Sequence, residues 1–291
     1  MTTPISSLDH VTVLTRDLPR AVDDATVLLG RKVSWRSSGE GVATALFTLA
    51  NTSLEIVAPE GAGPQGDRVL AALDERGEGL ASACFRTTDI DRLTRRLARL
   101  QLQPEPITEA AGTDSLSGAV LRWRRTRLPP AAANGIRLFF LQREDERPLS
   151  QPTDPTAVTG LDHLVVTVRD PERAAAFYGA RLGLDMRLDL SRADWGARLM
   201  FFRCGDMIVE LAKRLGDADG ELAKDDKFMG LSWRVANADA ARARLSAAGF
   251  DVSEVRVGRK PNTRLFTVRN RNGGVPTLMI EPAPRASAAE Q

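Results

Sequence analysis

The 291 residues are 43% hydrophobic and 27% charged, which is ordinary globular material with length for two domains. The 40 basic and 38 acidic residues are interleaved and leave a net charge of +2, so no field is built for a nucleic acid or an anionic membrane, and a small molecule is the expected partner. The N-terminal residues show no basic stretch followed by an apolar run, and no run of about 18 apolar residues occurs anywhere, so the expectation is a cytoplasmic protein. Cys84 and Cys204, one in each half, lie in strand-like segments and read as small buried hydrophobes.

The first predicted strand, Leu8-Asp9-His10-Val11-Thr12-Val13-Leu14, runs to Asp17, where the period changes from two to that of a helix ending at Gly30. Leu54-Glu55-Ile56-Val57 reads as a later strand of the same unit. A second unit opens with Ala83-Cys84-Phe85-Arg86-Thr87-Thr88-Asp89, has a helix over 90–100, and ends near Leu138-Phe139-Phe140-Leu141. Residues 145–158, rich in proline and polar residues, read as a linker.

Leu161-Asp162-His163-Leu164-Val165 then repeats the opening strand 153 positions on, with the only other histidine in the chain. Asp170-Pro171-Glu172-Arg173 starts its helix with a capping acid and a proline, and Gly183 ends it, 13 residues past Asp170 as Gly30 is past Asp17. Strands follow over 185–190, 197–203 and 207–211. A fourth unit starts at Trp233, steps through Asp239 into a helix, and finishes at Met279-Ile280-Glu281. The reading is α+β: βαβββ modules at 6–60, 80–143, 159–213 and 229–283, grouped as domains 1–144 and 159–284, with 285–291 a disordered tail.

Paired βαβββ modules with a Leu-Asp-His strand, the helix end Phe177-Tyr178-Gly179-Ala180-Arg181-Leu182-Gly183-Leu184 and a last strand bearing glutamate resemble the vicinal oxygen chelate superfamily. That superfamily includes glyoxalase I, extradiol dioxygenases, methylmalonyl-CoA epimerase and the bleomycin resistance proteins. The resemblance implies two glyoxalase-like, cup-shaped mixed sheets, with inward residues of the first and last strands of each module meeting at the floor. Counting back seven residues from each helix-starting aspartate gives His10, Ser82, His163 and Ser232. The last strands add Glu55, Leu141, Glu210 and Glu281.

His163, Glu210 and Glu281, with Ser232 as a weaker donor, are therefore the expected ligands of a divalent ion (Zn, Mn, Ni, Co or Fe(II)) in the C-terminal cup. His10 and Glu55 form a poorer set in the N-terminal cup. Glu281 or Glu210 would serve as the base of a metal-dependent glyoxalase- or epimerase-like lyase or isomerase acting on a small hydroxy-carbonyl compound. A metal-free, bleomycin-resistance-like binding protein and an extradiol-dioxygenase-like oxygenase are the alternatives, and serine at 232 counts against the dioxygenase. Arg256 and Arg264 are candidates to hold an anionic substrate group, and Trp195 and Trp233 to wall an apolar pocket. A monomer and a homodimer are both compatible with the architecture.

Overall fold

The computed structural model describes residues 4–216 and 225–284, so the tail at 285–291 lies outside the described residues. Among the described residues, no helix is long and apolar enough to cross a membrane.

The first half comprises β1 (Ser7–Leu14), α1 (Leu18–Leu29), β2 (Trp35–Gly39), β3 (Val42–Thr48), β4 (Ser53–Pro59), α2 (Pro64–Arg76), β5 (Gly79–Arg86), α3 (Ile90–Arg99), β6 (Thr108–Thr113), β7 (Val120–Arg127) and β8 (Leu138–Arg143). The second half comprises β9 (Gly160–Thr167), α4 (Pro171–Ala175), β10 (Asp185–Arg192), β11 (Ala197–Cys204), β12 (Met207–Arg214), β13 (Lys227–Arg234), α5 (Ala238–Ala247), β14 (Arg256–Val257), β15 (Arg264–Val268) and β16 (Thr277–Glu281). Each half forms one eight-stranded mixed sheet, in the orders β2-β3-β4-β1-β5-β8-β7-β6 and β10-β11-β12-β9-β13-β16-β15-β14. This is the α+β glyoxalase-like architecture of two cup-shaped domains. Helix α2, absent from the sequence-based reading, joins the first two modules.

Each module turns from strand to helix by the same device. Side chains of Asp17, Asp89, Asp170 and Asn237 accept from the backbone N–H three residues on, capping α1, α3, α4 and α5. The third helix departs from regular geometry, because α4 passes at Ala176 into a π-helical turn to Arg181. The wider turn lets the adjacent Phe177 and Tyr178 both be buried, with their rings edge to face at 5.2 Å.

Strand alternation sends one face of each sheet into a hydrophobic core shared by both halves, including Val11, Val13, Leu28, Leu164, Val166, Val209, Leu211 and Leu245. The halves are locked by two equivalent arginines, each seven residues past the cap of its helix. Arg244 of α5 donates to the last-turn carbonyls Val27 and Leu28 of α1, and Arg96 of α3 donates to Ala180 and Arg181 at the end of the π turn. Each guanidinium donates to last-turn carbonyls where the helix dipole is negative. The Arg244 side chain is 14% exposed. Arg244→Met should therefore lower the unfolding free energy by about 2 kcal/mol in urea titrations.

Candidate functional site

The Leu-Asp-His motif is a β-bulge. Leu8 pairs with Phe85 and His10 with Cys84, while Leu161 pairs with Trp233 and His163 with Ser232, so Asp9 and Asp162 are each an extra residue without a cross-strand partner. The leucine faces the core, and the bulge turns aspartate and histidine together to the opposite, inner face. Their side chains meet there, at 2.5 Å between His10 Nδ1 and Asp9 Oδ1 and 3.0 Å between His163 Nδ1 and Asp162 Oδ2.

In the second half the bulge builds a compact polar cluster. His163 Nε2 lies 2.7 Å from Ser232 Oγ and 3.5 Å from Glu210 Oε2. Asp162 also accepts from Arg234 Nε at 2.9 Å, and Arg234 continues to Asp206 at 2.7 Å. Burial raises the pKa of Asp162, but hydrogen bonds from His163 and Arg234 outweigh it and hold the carboxyl below its ordinary value. An ionised Asp162 only accepts, which assigns the proton on His163 to Nδ1 and, in the neutral ring, leaves Nε2 to accept from the Ser232 hydroxyl. Glu210 is governed by burial, which raises its pKa, with His163 and Arg259 pulling it down and Asp162 pushing it up.

Of the residues expected at this site, His163, Glu210 and Ser232 come together and Glu281 does not. On β16 the core residue is Met279, so the inner face carries Leu278 and Ile280, and Glu281 has the wrong parity. Its Oε2 accepts from Ala238 N at 2.8 Å, at the start of α5. Arg264 shares that outer side, paired with Asp239 of α5 rather than turned to a ligand. Trp233 is also corrected: it is 1% exposed and packs in the core. Arg256 is exposed on the short edge strand, with Nη1 3.4 Å from Thr267 Oγ1. Trp195 is half-buried and sits under two guanidinium groups, Arg192 at 5.1 Å and Arg259 at 4.5 Å. Arg259 thus joins the 192–196 turn to the hairpin before β15, within electrostatic reach of Glu210. It lies between Arg256 and Arg264, the two arginines that the sequence analysis named as anion holders.

The first half has the same bulge and a different interior. His10 Nε2 lies 3.6 Å from Glu55 Oε2, which accepts from Thr12 Oγ1 at 2.8 Å. Cys84, not Ser82, faces His10, whereas Ser82 pairs with Thr12. The seven-residue count failed because α5 is capped by Asn237 and not by Asp239; counted from the true caps, Cys84 and Ser232 are equivalent, each five residues ahead. Asp9 is gripped through both oxygens by Arg143. Burial opposes its ionisation, but His10, Arg147 and Arg143 together push its pKa far below the carboxylate range. The inner face is filled by Trp35, Leu46, Leu121 and Trp123, and by α2, whose Ala72 and Leu73 pack on Leu14 and Val57. Edge strand β2 is tied to the β6 side through Arg36 and Asp114, which nearly closes this sheet into a barrel. Leu141 lies buried within it.

Neither donor set suits the divalent ion that the family resemblance implied. Among the described residues the second half presents one imidazole and the Glu210 carboxylate, plus a hydroxyl that already bonds the imidazole, while the Asp162 carboxylate is taken up by His163 Nδ1 and Arg234, which leaves fewer than the three protein ligands usual for an open catalytic site. In the first half Asp9, His10 and Cys84 lie within 4.8 Å of one another. There, however, Asp9 is held by Arg143 through both oxygens and by His10 Nδ1, so neither its oxygens nor that ring nitrogen is free to coordinate.

Comparison with known proteins agrees with the fold. Residues 8–178 match the glyoxalase-like domain family, and residues 162–266 match the glyoxalase/bleomycin resistance protein/dioxygenase superfamily. The chain belongs to the glyoxalase-like domain family, within the vicinal oxygen chelate superfamily, and carries it in tandem. No curated protein sequence matches it. Among solved structures it is similar to a mutant 4-hydroxymandelate synthase from Streptomyces coelicolor, with 12% identity and TM-score 0.69 over 97% of this chain and 94% of that one. A halotolerant catechol dioxygenase gives 14% identity and TM-score 0.66 over 100% and 91% of the two chains. A catechol 2,3-dioxygenase gives 17% and 0.62 over 97% and 90%. At these identities the likeness is one of fold.

The raised pKa of Glu210 makes stability depend on pH with a definite sign. The folded protein holds this proton more tightly than the unfolded chain, so the associated stability is whole below about pH 4 and is lost as pH rises through the raised value. Glu210→Gln lacks that loss. The stability of the wild type relative to the variant should therefore fall with rising pH above about pH 4 in urea unfolding, and a pH-independent difference would contradict the burial assigned to this carboxyl.

Proposed function

We propose that the C-terminal cup is a metal-independent binding site for a small molecule bearing a carbonyl or hydroxyl group beside an apolar or aromatic part. One observation carries this reading: Glu281 accepts from the first backbone N–H of α5, and the inner positions of β16 are Leu278 and Ile280, so the third ligand of the metal-dependent alternative is replaced by apolar surface. The polar end of such a ligand meets His163, Ser232 and Glu210. Its apolar part meets Phe201, Leu278 and Ile280, with the Trp195–Arg259 stack at the mouth. The matched superfamily includes bleomycin resistance proteins in its description, which suits a cup that holds rather than converts its ligand.

A second reading, a lyase or isomerase working by proton transfer, has its own support in Glu210. A carboxyl whose pKa burial raises is suited to take a proton from carbon beside a carbonyl, and Arg259 is placed to offset the charge that develops on the carbonyl oxygen. The oxygenase reading loses ground, because the cup lacks both the second histidine at 232 and the carboxylate at 281.

Elemental analysis of protein purified without chelator should find transition metal well below about one equivalent, unchanged by His163→Ala. Stoichiometric metal lost in that variant would overturn the proposal. Ligand screening by thermal shift, followed by turnover assays on each hit, separates the two readings through Glu210→Gln. Under the binding reading, ligand affinity stays within about threefold and no turnover exists to lose; under the proton-transfer reading, affinity survives while turnover falls by about 10²-fold or more.

A further inference from the structure

Strand parity puts one arginine of the basic hairpin inside the C-terminal cup. On β15, Phe266 and Val268 are core residues, so Leu265 and Thr267 face inward, opposite Ile280 and Leu278 of β16. Arg256 of β14 pairs with Leu265 and therefore stands on that inner face, where its Nη1 donates to Thr267 Oγ1 at 3.4 Å. Arg264 pairs with Val257 on the other side and is taken up by Asp239.

The loop between these two arginines is held in one shape. Gly258 N donates to Thr263 O at 2.8 Å, Thr263 Oγ1 donates to Lys260 O at 2.6 Å, and a side chain at 258 would collide with Thr263 Oγ1. Arg259 is thereby presented over Trp195, its guanidinium carbon 4.5 Å from the ring centre, and its charge acts on Glu210 at the floor. Stacking occupies a face of the guanidinium and leaves its N–H edge for a ligand. Among the described residues neither Arg256 nor Arg259 has a carboxylate partner, and both are exposed. On the outside of the same half, Arg264, Arg242 and Arg269 are matched by Asp239, Glu254 and Asp251.

Two unmatched cations thus stand at the rim. Strand β14 is four strands from β9, about 19 Å along the sheet at the usual strand spacing, a distance that the curl of the cup shortens. A ligand whose polar end meets His163 therefore offers these arginines its opposite end, past Leu265, Leu278 and Ile280. We infer that the ligand of the C-terminal cup is an organic carboxylate, with its carbonyl or hydroxyl group on the floor and its carboxylate at the far end, on Arg256 and Arg259. A carboxylate matches the guanidinium edge through paired, charge-assisted hydrogen bonds. The inference rests on the binding reading of this cup and adds the charge of what it binds.

The test is isothermal titration of the full chain with 4-acetylbenzoate and its neutral counterpart 4-acetylbenzamide at constant ionic strength. The proteins are the wild type, a double variant carrying Arg256→Gln and Arg259→Gln, and the single variants Arg264→Gln and His163→Ala. The wild type should bind the carboxylate about tenfold or more tightly than the amide, the double variant about threefold or less, and Arg264→Gln should behave as the wild type does. Equal affinity for the two probes, a preference that survives in the double variant, or no binding of either probe overturns the inference. Equal affinity for both probes that His163→Ala weakens leaves the cup a binding site without selection for an anion. Carboxylate binding that the two arginines control, but whose affinity His163→Ala leaves unchanged, puts the anion on the hairpin outside the cup and overturns the inference together with the binding reading.

Discussion

Both halves depend on one backbone irregularity, the bulge that places an aspartate and the following histidine on the same face of a strand. In a regular strand the two side chains would point to opposite sides, and one of them would enter the core. With the extra residue accommodated, leucine stays in the core, histidine reaches the inner face of the sheet, and aspartate fixes its ring from beside it. The arginine that completes each arrangement comes from elsewhere: Arg143 from β8 in the first half and Arg234 from β13 in the second. The repeated motif therefore specifies where the imidazole sits and how it is held, and the remaining strands decide what it faces.

What it faces differs between the halves for reasons of packing. In the first, two tryptophans, two leucines and an inserted helix occupy the inner face, and the edges of the sheet nearly meet, so a polar pair at its floor is enclosed and neutralised by arginines. In the second, the edge strand β14 is only two residues long and the inner positions of β16 are aliphatic, which leaves a cup with a polar floor and apolar walls. Duplication supplied the same frame twice, and side-chain volume distinguishes a filled barrel from a cup.

The modular order, the strand-to-helix turns and the position of both histidines were legible in the sequence, because caps, alternation and the repeat are local signals. His163 is found because it stands seven residues ahead of its capping aspartate, whereas Ser232 is reached only by counting from Asp239, two residues past the true cap. The errors have equally specific causes. Asp239 looks like a capping acid, yet Asn237 caps α5, and that two-residue difference moved the counterpart of Ser232 from Cys84 to Ser82. Glu281 lies in an apolar run as Glu210 does, but a run of alternating residues does not state which parity faces inward near its end, and the carboxylate serves a helix N-terminus instead. Trp233 is large and adjacent to Ser232, and adjacency in a strand means opposite faces.

The sequence by itself determined that the chain is a fourfold series of βαβββ units, because capping, hydrophobic period and repetition act over a few residues and need no partner. The tertiary structure decided which carboxylates share a face with the histidines, which half retains a cup, and that Arg244 and Arg96 clasp the helices of the opposite half. Those outcomes rest on strand parity at bulges and on contacts between residues more than 80 positions apart, which no local pattern encodes.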